Sequence, residues 1–158
     1  MLAKVRSAQV FLYGGDRLEA QRLIHEVQPH LPALSRLDSM RVEALGARLE
    51  GDIFGEISIL QDIYNSFPTR KEFAYDVAEA LYEICDIDKA KYYYEKALQL
   101  DKNFARAHNH LAYCYSHQGQ HEQALYHFRK YVELDSTANA FDSMGDGFMA
   151  AGKLDSAA

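Results

Sequence analysis

The sequence predicts an all-α chain, an α-solenoid of antiparallel helix pairs with about four and a half repeats. Three observations predict it. Residues 71–104 and 105–138 overlay without a gap, a self-similarity with a period of 34 residues. In that overlay Ala90 falls on Ala124, Tyr94 on Phe128, and Leu100-Asp101 on Leu134-Asp135. Small residues recur at two fixed positions of each copy, where two helices can approach only if the side chains stay small. Apolar residues between the turns recur at helical spacing, and only short runs favour strands.

The copies start at Met1, Leu37, Lys71, Ala105 and Ala138. They define one repeat domain over 1–158, with repeats 1–36, 37–70, 71–104, 105–137 and a partial copy over 138–158. In the first copy a helix enters over Ala3 to Tyr13, Gly15 breaks it, and Pro32 stops the second helix. Its small residues are Ala8 and Ala20; its bulky ones are Phe11 and Ile24. The second copy has Ala44, Ala47, Gly51, Leu60 and Pro68 in the same places, but Glu56 where a small residue is expected. The third has Ala78, Leu81, Ala90 and Tyr94, with Cys85 in place of the turn glycine. The fourth has Ala112, Tyr115, Gly119, Ala124 and Phe128, and the fifth Gly145, Phe148, Gly152 and Ala157. Glycine suits the turn because a helix end usually needs a residue in the left-handed region.

This pattern resembles the tetratricopeptide repeat family. The resemblance is carried by Leu111, Ala112, Tyr115, Gly119, Ala124 and Phe128, then by Phe141, Met144, Gly145, Phe148, Gly152 and Ala157. The run GDRLEA from Gly15 to Ala20 resembles the same inter-helix turn. The second copy departs most, with Glu56 and with Glu43 where the family usually has Leu. The resemblance implies a right-handed superhelical array with a concave face.

Charge and composition exclude several functions. Net charge is −6, and no block of like charges occurs. Nucleic acid needs a basic face to neutralise phosphates, so it is not expected as a partner. Neither is an anionic membrane surface. No apolar stretch approaches the ~20 residues that span a bilayer. The N-terminus lacks the uninterrupted apolar core of a secretion signal. Cys85 and Cys114 have no metal-type spacing and are expected to be reduced, in the cytoplasm.

Catalytic constellations are missing too. No nucleophile elbow, phosphate-cradling loop or dinucleotide fingerprint occurs, so no enzyme activity and no cofactor is expected. His117 and His121 flank the break at Gly119, so one helix cannot present both to a metal. His108 and His110 point to different sides of a helix. In Tyr92-Tyr93-Tyr94, helical spacing sends Tyr94 to the core and its two neighbours outward.

The resemblance implies that the first helix of each copy lines the concave face through positions two, five, nine and twelve. Those positions hold Arg41 and Arg48, then Tyr75, Glu79 and Tyr82, then Arg106, Asn109, Tyr113 and Ser116, then Asp142 and Asp146. Tyrosines offer contact area at little entropic cost, and arginines can fork onto carboxylates. Asn109 can hold a peptide backbone, and the carboxylates suit a basic segment. A Lys/Asn/Arg clamp for C-terminal carboxylates, found in some family members, is not matched here. The expected function is a protein-interaction scaffold for a peptide or partner protein. Two alternatives stay open: a regulatory or sensory segment of a larger bacterial signalling or enzyme protein, and a self-assembly module forming homo-oligomers through exposed repeat ends. The abrupt start and the unpartnered Phe141, Met144 and Phe148 of the last copy read as a fragment of something larger.

Overall fold

The computed structural model describes residues 2–152, so the expected small residue Ala157 lies outside the described residues. Among the described residues every regular element is helical. They are α1 (Leu2–Tyr13), α2 (Arg17–Val27), a 3₁₀ segment (Gln28–Ala33), α3 (Arg36–Glu50), α4 (Ile53–Ser66), α5 (Lys71–Glu83), α6 (Ile87–Leu100), α7 (Ala105–His117), α8 (His121–Leu134) and α9 (Ala138–Ala150). The predicted all-α solenoid of helix pairs is what forms. Chain contacts divide it into two compact units, Met1–Phe67 and Pro68–Ala158.

In the first unit α1 packs on α2, α3 on α4, and α2 on α3. Its core joins Val5, Ala8, Ala20, Leu23, Ile24, Val27, Val42, Leu45 and Leu49. The sequence places the end of the second helix at Pro32, but α2 stops at Val27. Pro29 and Pro32 fall close together, and a short 3₁₀ segment with Pro29 in its first turn accommodates both.

Glu56 occupies a crossing where the sequence pattern calls for a small side chain. It is only 5% exposed. The structure explains the exception through a second one: Arg48 Nε donates to Glu56 Oε1 at 2.6 Å. A buried carboxylate is tolerable only with such a partner.

In the second unit α5 pairs with α6 and α7 with α8, α6 packs on α7, and both α7 and α8 pack on α9. The small positions are closed: Ala78, Ala90 and Ala112 are 0% exposed and Ala124 1%. Tyr94 and Phe128 fill the volume between, both 0% exposed.

The turns repeat in hydrogen-bond detail. Asp16, Asp52, Asp86 and Gln120 each donate the backbone N–H to a carbonyl five residues back, at 2.8–3.0 Å. The preceding residue is left-handed each time: Gly15 at φ 87°, Gly51 at 85°, Cys85 at 60° and Gly119 at 69°. Cys85 therefore sits where a side chain crowds its own backbone, a cost of roughly 1–2 kcal/mol. Cys85→Gly is expected to raise stability by about 0.5–1 kcal/mol, since glycine also loses more entropy on folding. Denaturant unfolding of this variant beside Cys85→Ala checks it, because alanine keeps the strain and gains nothing.

Candidate functional site

The first helices of the second unit, α5, α7 and α9, present one row of side chains. Its upper part, between α5 and α7, is filled. Tyr75 is 4% exposed and meets Phe104 at 5.2 Å and Tyr94 at 5.6 Å, ring centre to ring centre, with the rings tilted by 52° and 57°. The Arg106 guanidinium covers its outer side, 4.5 Å from the ring centre. The Tyr94 hydroxyl donates to Glu79 Oε1, and His110 Nδ1 lies 3.0 Å from the same oxygen. That last contact is short but poorly aligned, and Nδ1 makes no hydrogen bond among the described residues. Burial pushes the Glu79 pKa up, but His110, Tyr94 and Tyr75 more than offset it, and the carboxyl is held below its usual range. Tyr82 closes the remaining gap, its hydroxyl 3.0 Å from His117 Nε2. Burial pushes the Tyr82 pKa up to about 12.

Below this network the row opens. Tyr113, Ser116, His117, Phe128, Asp146 and Ala150 line a cleft of about 270 Å³ between α7 and α9. Phe128 forms the apolar floor, with the Tyr113 ring edge-on at 5.0 Å. The Tyr113 hydroxyl donates to Asp146 Oδ2 at 3.0 Å. Asp142 and Asp146 are exposed, one helical turn apart on α9. Neither makes an ion pair among the described residues. Asn109, one turn before Tyr113 on α7, has a buried Oδ1 with no hydrogen-bond partner among the described residues.

A second polar cluster lies between α7 and α8, away from that row. His108 is 6% exposed, and its Nδ1 is 2.8 Å from His127 Nδ1. His108 Nε2 is 3.0 Å from the Lys102 carbonyl. A carbonyl can only accept, so the single N–H of neutral His108 goes there, and His127 Nδ1–H must donate to His108 Nδ1. Tyr115 stacks on His127 at 5.4 Å, and Tyr126 meets it edge-on at 5.0 Å. Burial lowers the His108 pKa. Burial, with His108 beside it, pushes His127 down to about 4.

Both shifts have the same sign. A histidine depressed in the fold binds its proton more readily when unfolded, so stability is complete above the unfolded value of about 6.5 and drains away as pH falls toward 4. His127 is half-buried, so the full linkage is discounted. Stability is expected to fall by about 1–2 kcal/mol between pH 7 and pH 5. His127→Phe should remove most of that slope in urea titrations at the two pH values. A wild-type profile flat from pH 7 to pH 5 would contradict it.

The remaining sequence-predicted residues lie in the first unit and are not joined to this row here. Arg41 is exposed, whereas Arg48 turns inward to Glu56. The expected fork from Arg48 onto a partner carboxylate is thus spent inside the fold. Cys85 is exposed and Cys114 buried, and both are free thiols. Among the described residues no three His, Cys, Asp or Glu side chains gather to hold a metal. No described helix is long and apolar enough to cross a membrane.

Two tetratricopeptide repeat family models match the chain, at residues 72–104 and 93–126. No curated protein sequence matches it. Among solved structures, TTC0263, described as a thermophilic tetratricopeptide-repeat protein in Thermus thermophilus, is similar with a TM-score of 0.79 and 15% identity, over 99% of this chain and 85% of that one. MamA from Desulfovibrio magneticus RS-1 gives 0.73 and 18%, over 98% and 87%. YrrB, described as a tetratricopeptide-repeat protein with an unusual peptide-binding site, gives 0.66 and 14%, over 98% and 79%. Identities this low bear on the fold alone.

Proposed function

We propose, from the premise that this chain is a tetratricopeptide-repeat protein, that it is a non-enzymatic interaction scaffold. It holds a peptide segment of a partner protein along the α5–α7–α9 row of its second unit. One observation carries the reading. Tyr113, Ser116 and Asp146, three row positions, border an open cleft instead of being consumed by the core. An aromatic floor with a few polar groups at its rim suits a side chain presented on an extended backbone. The peptide-binding site of YrrB is consistent with this use of the fold.

A random dodecapeptide library displayed on phage and panned against the whole chain tests it. The expected result is a selected family of peptides whose affinity drops about tenfold with Tyr113→Ala, the loss of one well-packed aromatic contact. Failure to select any peptide, or selected peptides indifferent to Tyr113→Ala and Ser116→Tyr, would remove the reading.

A further inference from the structure

The open cleft has a closed counterpart one repeat earlier, and the comparison tells what it takes. Walking from the α5–α7 step to the α7–α9 step exchanges Tyr82 for Ser116, His110 for Ser143, His117 for Ala150 and Tyr94 for Phe128. The contacts support this register. Glu79 meets His110 in the first step, and its counterpart Tyr113 lies beside Ser143, the counterpart of His110, in the second. In the first step large polar side chains fill the space, with Tyr94 bonded to Glu79 and Tyr82 to His117. In the second, two serines and an alanine leave it empty above the Phe128 ring.

Asp146 is the carboxylate that borders that space, with Ser116 and His117 the other polar side chains beside Tyr113. Asp146 and Asp142 are carboxylates without a cation among the described residues, and α9 carries no Lys, Arg or His at all. Tyr113 already spends its hydroxyl proton on Asp146. His117, on the wall, is 3.0 Å from the Tyr82 hydroxyl. A cleft of about 270 Å³ falls just under the ~300–1,000 Å³ of small-molecule sites, a size for one side chain.

We infer that this cleft is a pocket for one cationic side chain, arginine or lysine, of the bound segment. Its aliphatic stem lies along Tyr113, over the closed Phe128 floor, and its head meets Asp146 with Asp142 nearby. A long basic side chain is the group that combines an apolar stem with a charged donor tip. An aromatic wall adds cation–π attraction, and an unpaired carboxylate supplies a charge-assisted hydrogen bond. Glutamate would face two like charges, and norleucine would leave the carboxylate unmatched.

The inference rests on the row being a binding face, which the peptide display decides separately. Peptides that depend on Tyr113 yet show no preference for a basic residue would leave that reading standing and end this one. The direct test uses blocked pentapeptides, four glycines around a central arginine, lysine, glutamate or norleucine, titrated into ¹⁵N-labelled whole chain by NMR. The arginine and lysine peptides are expected to give saturable shifts at Ser116, Phe128 and Asp146. The glutamate and norleucine peptides should bind at least about tenfold more weakly, the scale of one charge-assisted contact. Asp146→Asn, an exposed change whose spectrum should otherwise overlay the wild type, is expected to weaken arginine binding about tenfold. Equal binding by norleucine or glutamate, unchanged binding by Asp146→Asn, or no saturable shift with arginine would each overturn it.

Discussion

Arg48→Ala is expected to lower the unfolding free energy by about 2–4 kcal/mol. Its guanidinium is 2.6 Å from Glu56, with side chains only 17% and 7% exposed. Taking away one member of a buried pair leaves the other charge in a poor solvent, a change that typically costs about 3–5 kcal/mol. The residual exposure of Arg48 argues for somewhat less. The arginine also carries packing from its stem, so the neutral control matters. A double variant, Arg48→Met with Glu56→Ala, restores the small residue the repeat pattern calls for. It should be more stable than either single variant, since no charge is left buried. Urea unfolding of wild type, Arg48→Met, Glu56→Ala and the double variant gives the cycle. Additive losses would mean that the pair is incidental.

Gly147→Val is expected to cost about 2–4 kcal/mol, at or beyond the upper end of ordinary overpacking. An ideal Cβ at Gly147 would lie 2.5 Å and 2.8 Å from two carbons of the Phe128 ring and 3.3 Å from Leu125. Helix propensity works the other way, since glycine inside a helix is about 1 kcal/mol worse than alanine. Sterics win because Leu125 is 0% exposed and the Phe128 ring can yield only by moving into the cleft above it. The same ring floors the cleft, so even a folded variant should lose peptide affinity. A Gly147→Val chain as stable as wild type would mean that α9 does not close on α8 as described.

The repeat register was readable because it rests on excluded volume. Alanine and glycine at the crossings, with rings between, fix where each helix begins. The expected starts at Lys71, Ala105 and Ala138 coincide with α5, α7 and α9, and the start at Leu37 is one residue from α3. The 3₁₀ segment was not readable as such, since Pro29 and Pro32 limit the helix without dictating the backbone geometry beyond it. Tip-to-tip contacts were harder still. Glu79 with His110 and Tyr94, His108 with His127, and Arg48 with Glu56 depend on which long side chains meet across neighbouring helices. Periodicity names the face of a side chain and leaves its reach open. Tyr75 shows the consequence: its register position is that of a groove residue, yet it is 4% exposed because Phe104, Tyr94 and Arg106 close around it. The cleft did leave a trace in the sequence. Comparing copies at three positions, Ser116 against Tyr82, Ser143 against His110 and Ala150 against His117, shows volume disappearing at one step.

The measurement that bears most directly on this account is a structure of the whole chain with a peptide selected by display. The peptide is expected along α5, α7 and α9 of the second unit, with a side chain seated over Phe128 and against Tyr113 and Asp146. A peptide seated instead on the second helices, beside the exposed Tyr92 and Tyr126, with the cleft vacant, would contradict it.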